Sequence, residues 1–246
     1  MDISVIIPAY NEEDRIGQTL RHTFSYLSRQ DYQSEVVVVS DGSDDNTADI
    51  ARHLGYRRKH VSLKIYEYHP NRGKGYAVRL GMLKGCGTIL MFMDADYSVP
   101  IENMEKGRRL IRDGCDIAIG SRAVRDSRVI EHQNMLRELS ARFYTSVQNH
   151  HLGIGYKDTQ CGFKFFKKEA AKDLFGKQKL NSVIFDPEIL WLAKQAGYRV
   201  KEFPVTWRHV ENSRIRYDSI KKFLSVFQEL FRIKKLHRIS DAANRP

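Results

Sequence analysis

Continuous apolar runs and amphipathic stretches alternate along the first 120 residues of the chain. The runs Glu35–Val39 and Thr88–Met93 are short and almost entirely apolar, as is typical of strands that are covered on both faces. Between such runs, apolar residues recur at helical spacing, as they do over Glu12–Arg29. The alternation predicts βαβ units, and therefore an α/β fold with a mostly parallel, right-handed, Rossmann-like sheet and helices on both faces.

The same reading predicts the individual elements and the domain organisation. It predicts strands at residues 4–7, 35–39, 61–68, 88–93, 115–120, 162–166 and 199–205. It predicts helices at residues 12–29, 45–54, 75–84, 101–112, 135–147, 168–175, 187–196 and 217–239. Because no internal repeat, low-complexity tract or linker interrupts the pattern, we expect one domain over residues 1–216, followed by a basic amphipathic C-terminal helix and tail over residues 217–246.

Composition narrows the class of protein. Of the 246 residues, 41% are hydrophobic and 29% are charged, which suits a soluble domain with a proper core. No stretch approaches the roughly 20 apolar residues that span a bilayer, and the N-terminus lacks a signal-peptide pattern. The three cysteines are scattered without C-x-x-C spacing, which argues against a disulfide framework or a zinc site and favours a reducing cytoplasm.

The chain is strongly basic, with a formal net charge of +11. Nucleic acid, an anionic membrane face and phosphorylated small molecules all fit this charge. No familiar nucleic-acid motif is present, so we expect no nucleic-acid partner. The region 217–239 combines apolar residues at helical spacing with many cations, which favours an anionic membrane surface, while packing of the same helix on the domain is the alternative.

Two carboxylates follow the apolar run Thr88–Met93, in the triplet Asp94-Ala95-Asp96. The carboxyl ends of strands form the edge at which α/β sheets bind ligands. Oxygen-rich ligands of this kind suit Mg²⁺ or Mn²⁺, which is often held by one or two carboxylates together with a substrate diphosphate. An ordinary solvated turn is the alternative for the triplet taken alone.

Two further strand ends carry polar residues that point to the same edge of the sheet. The first is Pro8–Glu13, where Tyr10 suits packing on a ring and Glu12 suits a ribose. The second is Ser40–Thr47, where Asp41 suits a hydrogen bond from a base or a ribose hydroxyl. An ordinary turn and helix cap is the alternative for Asp41.

The segment Asn71–Gly75 is a glycine-rich loop that precedes a predicted helix. It carries two cations, Arg72 and Lys74. Backbone N–H groups and the positive end of a helix favour phosphate at such a place. The P-loop spacing is absent, and so is G-x-G-x-x-G after the first strand. These absences argue against a P-loop nucleotidase and a dinucleotide-dependent oxidoreductase.

Taken together, the motifs resemble family 2 glycosyltransferases of the GT-A fold. The resemblance rests on the segments ISVIIPAYNEE from Ile3, VSDGS from Val39, NRGKG from Asn71 and DAD from Asp94. GSR from Gly120, DTQCGFK from Asp158 and FDPE from Phe185 are similar to the branch that transfers sugars to polyprenyl or dolichyl phosphate, most closely its dolichyl-phosphate β-glucosyltransferases.

The resemblance implies functional residues at the matching positions. It implies a nucleotide-sugar site with contacts from Pro8, Tyr10, Asn11, Glu12, Val39, Asp41, Arg72, Lys74, Asp94, Ala95, Asp96, Arg208 and Arg214. It implies that Asp94 and Asp96 hold the Mg²⁺ or Mn²⁺ ion, and that Arg122 and Arg137 hold the acceptor phosphate. Asp94, Asp96, Arg122 and Arg137 would then carry the catalysis.

The activity that the resemblance implies is metal-dependent, inverting transfer of a hexose, glucose from UDP-glucose, onto polyprenyl or dolichyl phosphate. The enzyme would lie on the cytoplasmic face of a membrane as a peripheral protein. A GDP-mannose donor or a saccharide hydroxyl acceptor is the alternative, and a nucleic-acid-binding domain is a weaker one. A hydroxyl acceptor would require a general base, for which Asp158 and Asp186 are candidates, with Gln160 as a further candidate of the same motif.

Overall fold

The computed structural model describes residues 1–55, 60–130, 135–210 and 220–243, and only the backbone of residues 135–139, 220–223 and 239–243. The strands in these ranges are β1 (Ile3–Ala9), β2 (Ser34–Asp41), β3 (Val61–Tyr68), β4 (Ile89–Met93), β5 (Ile117–Ser121), β6 (Arg128–Val129), β7 (Phe163–Lys167), β8 (Val200–Pro204) and β9 (Thr206–Trp207). The helices are α1 (Glu13–Leu27), α2 (Thr47–His53), α3 (Lys74–Lys84), α4 (Met104–Arg112), α5 (Met135–Leu152), α6 (Lys168–Lys177), α7 (Phe185–Gln195) and α8 (Ile220–Ala243).

Seven of the strands form one sheet in the order β3-β2-β1-β4-β7-β5-β8. Strands β3, β2, β1 and β4 are parallel, as are β5 and β8, whereas β7 runs antiparallel to both of its neighbours. The predicted mostly parallel α/β sheet is therefore confirmed. The reversed strand was not predicted, because an apolar run has the same pattern in either chain direction. Strands β6 and β9 form a separate two-stranded sheet, which was also not predicted.

Both faces of the sheet are covered, and strand β2 illustrates why. Val36 and Val38 face one apolar cluster, whereas Val37 and Val39 face the other. All four side chains are fully buried. A strand covered on both faces has no solvent-facing side, and this explains its continuous apolar run. Polar chemistry is left to the strand ends.

Helix α8 packs on the domain through part of its length. Leu230 and Ile233 are fully buried, and the Phe227 ring meets the Tyr144 ring of α5 with centroids 5.6 Å apart. Leu224 and Phe231 are exposed. The amphipathic pattern over residues 217–239 also predicts membrane contacts by Phe223, Phe227, Leu230 or Phe231. For Leu230 this is wrong, because the domain core already covers it, while the side chain of Phe223 lies outside the described residues. The boundary at residue 216 remains a prediction.

Within the described residues, none of the helices combines the length and the apolar composition that crossing a bilayer requires.

Candidate active site

The loops after β1 and β2 are joined by hydrogen bonds at the carboxyl edge of the sheet. The Asn11 backbone N–H donates to Ser43 Oγ over 3.1 Å, and Asn11 Oδ1 accepts from the Asp44 N–H over 2.9 Å. The Glu12 N–H donates to Thr47 Oγ1 over 2.7 Å. The two strand ends that the sequence singled out therefore form one continuous surface.

The loop after β4 joins the same surface. Thr19 of α1 donates its hydroxyl to the carbonyl oxygen of Ala95 over 2.6 Å, and this bond is buried. The next residue but one, Tyr97, has a left-handed backbone (φ 58°) and stacks on His22 of α1, with ring centroids 4.9 Å apart. Helix α1 thus holds the loop that carries Asp94 and Asp96.

Asp94 lies between a lysine and a glycine that are distant in the sequence. The ammonium of Lys74 is 2.6 Å from Asp94 Oδ1. The Asp94 N–H donates to the Gly162 carbonyl oxygen over 3.1 Å, and a Cβ at Gly162 would lie only 2.1 Å from Asp94 Oδ2. Only glycine fits there, so Gly162 is a site residue that the sequence reading missed. The sequence feature that could have indicated Gly162 is the DTQCGFK segment, in which it lies.

Charges at this edge influence one another strongly. Burial by itself lowers the pKa of Lys74, but the charges of Asp94 and Asp186 outweigh burial, so this pKa lies above its usual value. Burial, and then the charge of Asp94, raises the pKa of Asp96. The lysine is therefore charged at neutral pH, and the two carboxylates of the Asp94–Asp96 loop repel each other.

The residues present fit a divalent metal ion. Among the side chains that the structure describes, no three histidine, cysteine, aspartate or glutamate residues cluster as a metal-binding set. Two carboxylates are nevertheless the usual protein share of a Mg²⁺ or Mn²⁺ site that a substrate diphosphate completes. A cation would also relieve the repulsion between Asp94 and Asp96.

Asp41 is the anchor of the glycine-rich loop. Its Oδ1 accepts from the Tyr68 hydroxyl (2.8 Å) and the Arg72 N–H (2.7 Å), and its Oδ2 accepts from the Asn71 side chain (3.1 Å) and the Gly73 N–H (3.0 Å). A carboxylate has about four acceptor positions, and here all four are used. The direct contact of Asp41 with a base or ribose stays a prediction; in this structure its carboxylate fixes the glycine-rich loop.

The other predicted nucleotide contacts border this loop. Pro8 and Val39 are paired in register on β1 and β2 and are buried, whereas Tyr10 at the end of β1 is exposed. The Arg72 guanidinium donates to the Tyr76 hydroxyl over 2.6 Å and covers that ring.

Arg122 is held by a buried carboxylate. Its Nε and Nη2 donate to the two oxygens of Asp158 over 2.7 and 2.9 Å, and its backbone N–H also donates to Asp158 over 2.9 Å. Burial alone raises the pKa of Asp158, but the charge and hydrogen bonds of Arg122 outweigh it, so this pKa is held below its usual value. About one-third of the Arg122 side chain is exposed. The charge of Asp94 contributes to raising the pKa of Arg122 above its usual value.

The remaining predicted arginines are described only in part. Arg137 lies in the first turns of α5, and its side chain is outside the described residues, as is all of Arg214. The Arg208 N–H donates to the Ser98 carbonyl oxygen over 2.9 Å, which brings this exposed arginine beside the Asp94–Asp96 loop.

The two candidate bases are both engaged. Asp158 is bound to Arg122, and it also accepts from the Gln160 N–H over 3.2 Å. Asp186 forms a fully buried ion pair with Lys164, whose ammonium also donates to the Cys161 carbonyl oxygen over 2.8 Å. Neither carboxylate is free to accept a proton from a substrate hydroxyl in this arrangement.

Comparison with known proteins identifies the family. The family described as Glycosyl transferase family 2 matches residues 4–175. The chain belongs to this family. The glycosyltransferase is 35% identical over 240 residues to the dolichyl-phosphate beta-glucosyltransferase of Saccharomyces cerevisiae, covering 89% of this chain and 71% of the relative. It is 34% identical over 230 residues to the Drosophila melanogaster enzyme of the same name, covering 87% of this chain and 69% of the relative.

Solved structures support the GT-A assignment of the fold. Mannosyl-3-phosphoglycerate synthase from Rubrobacter xylanophilus superposes with a TM-score of 0.66 at 17% identity, over 100% of this chain and 76% of that one. Glucosyl-3-phosphoglycerate synthase from Mycobacterium tuberculosis, in complex with Mn²⁺, UDP and glucosyl-3-phosphoglycerate, has a TM-score of 0.65 at 18% identity, over 94% and 78%. At these identities the likeness concerns the fold.

The contact between Gly162 and Asp94 predicts the effect of Gly162→Ala. The added methyl group would displace the Asp94 carboxylate, and a shift of about 1 Å at a reacting centre costs about 100-fold in rate. We expect transferase turnover to fall by about that factor while the far-ultraviolet circular dichroism spectrum stays that of the wild type. Gly176→Ala is the matched control, because nothing lies within 4 Å of a Cβ at that position. Wild-type turnover in Gly162→Ala would contradict the placement of Asp94.

Proposed function

We propose that this glycosyltransferase transfers glucose from UDP-glucose to dolichyl or polyprenyl phosphate, with inversion of configuration and with Mg²⁺ or Mn²⁺ at Asp94 and Asp96. The observation that carries the proposal is a pair of cations held by carboxylates: Lys74, bound to Asp94, and the guanidinium of Arg122, oriented by buried Asp158. The cations of Lys74 and Arg122 suit a site that brings two phosphate groups together. The names of the relatives support the same acceptor.

The acceptor chemistry explains which groups the site needs. A phosphate monoester has a second pKa of about 6, so its oxygen is mostly ionised at neutral pH and is already a nucleophile. Its attack on the anomeric carbon forms the new C–O bond as the bond to the UDP oxygen breaks, and the electron pair leaves with UDP. Arg122 suits the nucleophile, because Asp158 uses only the Nε hydrogen and one Nη2 hydrogen of the guanidinium, and the hydrogens that point away from Asp158 can pair with phosphate oxygens.

Charge must be neutralised on the leaving group. Lys74 stands at the start of α3, beside Asp94, and carries its charge at neutral pH. A metal ion bound by Asp94 and Asp96 would supply Lewis-acid stabilisation of the diphosphate. Lys74 would add a preorganised positive charge where negative charge develops, which is the kind of interaction that lowers a barrier most.

The pairing of both predicted bases with cations favours a phosphate acceptor over a hydroxyl acceptor. A sugar hydroxyl needs a carboxylate that can take its proton. Both candidates, Asp158 and Asp186, are committed to cations, namely Arg122 and Lys164. An ionised phosphate needs no such group.

A panel of donors and acceptors tests the proposal. UDP-glucose and GDP-mannose are each incubated with a short-chain dolichyl phosphate, with the corresponding dolichol and with an oligonucleotide, in Mg²⁺, Mn²⁺ or EDTA. We expect nucleotide release only with UDP-glucose, dolichyl phosphate and metal.

Asp96→Ala should abolish nucleotide release, because few protein ligands hold the metal, whereas Asp49→Ala, on an exposed surface, should not. Turnover in EDTA, or with Asp96→Ala, would contradict the metal site, and activity with GDP-mannose would reassign the donor.

The arginines proposed for the acceptor make a separate prediction. Losing charge-assisted hydrogen bonds costs about 1.5–3 kcal/mol, so Arg122→Ala and Arg137→Lys should each raise the acceptor KM by about 10- to 100-fold. UDP affinity, measured by calorimetry, should stay near that of the wild type. Arg52→Ala, which removes a surface arginine paired with Glu67, is the control. An unchanged acceptor KM in both variants would contradict the phosphate assignment.

We also propose that the enzyme binds an anionic membrane surface on the cytoplasmic side through α5 and α8. Among the described side chains of these two helices, the exposed large apolar ones are Phe143 (60%), Leu224 (52%) and Phe231 (50%). Exposed cations lie on α8 as well, at Arg232, Lys235 and Arg238. Apolar anchors beside cations are the combination that favours an interfacial site on anionic lipid.

Liposome co-sedimentation tests this surface. Fully burying each such side chain contributes about 1.5–3 kcal/mol, so Phe143→Ser with Phe231→Ser should weaken binding to phosphatidylserine vesicles by at least about tenfold. Salt should weaken the remaining binding, since it screens the charge term. Ile130→Ser, at an equally exposed apolar residue elsewhere, is the control (53% exposed). Wild-type binding by the double variant would contradict the proposed surface.

A further inference from the structure

Glu188 of α7 is a fully buried carboxylate that takes no direct part in the site described above. Its Oε1 accepts from the Lys179 N–H over 2.8 Å, and its Oε2 accepts from the Leu180 N–H over 2.9 Å. Its Oε1 also lies 2.7 Å from Nε2 of His237, a buried residue of α8. One side chain thus joins three parts of the chain: α7, the segment before it and the C-terminal helix.

The segment that Glu188 holds, residues 178–182, forms the support of the glycine-rich loop. The Gly75 N–H donates to the Asn181 carbonyl oxygen over 2.7 Å, and the buried Gln178 side chain donates to the Gly75 carbonyl oxygen over 2.9 Å. Gly73 has φ 98°, and a Cβ there would lie 2.4 Å from the Asn181 carbonyl oxygen. The two backbones are therefore in direct contact on either side of Lys74.

Helix α8 makes a second polar contact with the same segment. The Ser182 hydroxyl donates to Glu229, and it also accepts from the Ile184 N–H over 3.1 Å. Between Glu229 and His237, Leu230 and Ile233 are fully buried. The helix thus contacts the segment directly at Glu229 and, about two turns further on, indirectly from His237 through Glu188, with an apolar contact between the two.

We propose that His237 and Glu188 are positioning residues for the nucleotide site: docked α8 holds residues 178–182, and these hold the loop that presents Lys74 and is anchored by Asp41. The inference rests on the proposed function only in identifying the nucleotide as UDP. Its chain of contacts runs from His237 through Glu188, the N–H groups of residues 179 and 180, and Asn181 to Gly75. An intact C-terminal helix would then be a requirement for donor binding.

Hydrogen exchange and calorimetry on the full chain test the proposal. In His237→Ala, the amides of Lys179, Leu180 and Gly75 should exchange faster without any nucleotide present. UDP should bind about tenfold more weakly, the size expected when one hydrogen bond to a charged group is lost. Turnover at saturating donor should also fall, because the same loop presents Lys74 to the leaving group, whereas the acceptor KM should stay near that of the wild type. His237→Gln, which keeps an N–H donor, should restore UDP affinity.

Two further variants separate this positioning from general stability. His151→Ala removes a ring contact to Phe231 of α8, with centroids 4.7 Å apart, and so loosens the helix on its α5 side; it should leave Gly75 exchange and UDP affinity unchanged. Ser182→Ala is a smaller change than His237→Ala. It should speed hydrogen exchange at the same three amides, those of Lys179, Leu180 and Gly75.

The outcomes also separate this inference from the proposed function. A His237→Ala protein that melts earlier, yet keeps wild-type Gly75 exchange and UDP affinity, would overturn it, and so would equal effects in His151→Ala. Failure of the wild type to bind UDP would overturn the proposed donor instead, while the exchange measurements would still decide the positioning role.

Discussion

The constraint on which this site depends is that a buried carboxylate needs a cation or several N–H donors to offset the loss of water. Four aspartates near the carboxyl edge of the sheet each meet this need differently. Asp41 uses the N–H groups of a loop, whereas Asp94, Asp158 and Asp186 use Lys74, Arg122 and Lys164 respectively. Each pairing also fixes the position of the cation or the N–H groups that bind the carboxylate. The need to neutralise the carboxylates therefore determines the conformation of the loops.

The pairing of these carboxylates with cations distinguishes a phosphate acceptor from a hydroxyl acceptor. A site for a hydroxyl acceptor would keep one carboxylate free of cations, with its pKa raised so that it could take a proton. Here Arg122 holds the pKa of Asp158 down, and Asp186, whose pKa is raised by burial, is fully buried in an ion pair with Lys164. Lys74 and Arg122, each held by a carboxylate, place two cations at this edge, which suits two phosphate-bearing substrates. The net charge of +11 points the same way at the level of the whole chain, but only the positions of these two side chains relate the charge to a reaction.

Helix α8 has two different sides. Leu230, Ile233 and His237 face the domain, while Leu224 and Phe231 remain exposed. The helix therefore contributes to the core and still offers an apolar surface. This explains why its sequence favours a membrane surface and a packed helix at the same time. The proposed membrane surface and the contact with the support of the glycine-rich loop therefore lie on the same helix.

The hydrophobic pattern by itself determined the alternation of strands and helices, the mostly parallel sheet and the strand ends at which Asp41 and Asp94 lie. It could do so because the pattern records which faces of each element are buried, and parallel strands place their carboxyl ends together. The direction of β7, Gly162 beneath Asp94, the hold of Asp158 on Arg122 and the contact of Glu188 with His237 were decided by the tertiary structure alone. These contacts join residues that are 36 to 68 positions apart, and only the packing of whole elements brings such residues together.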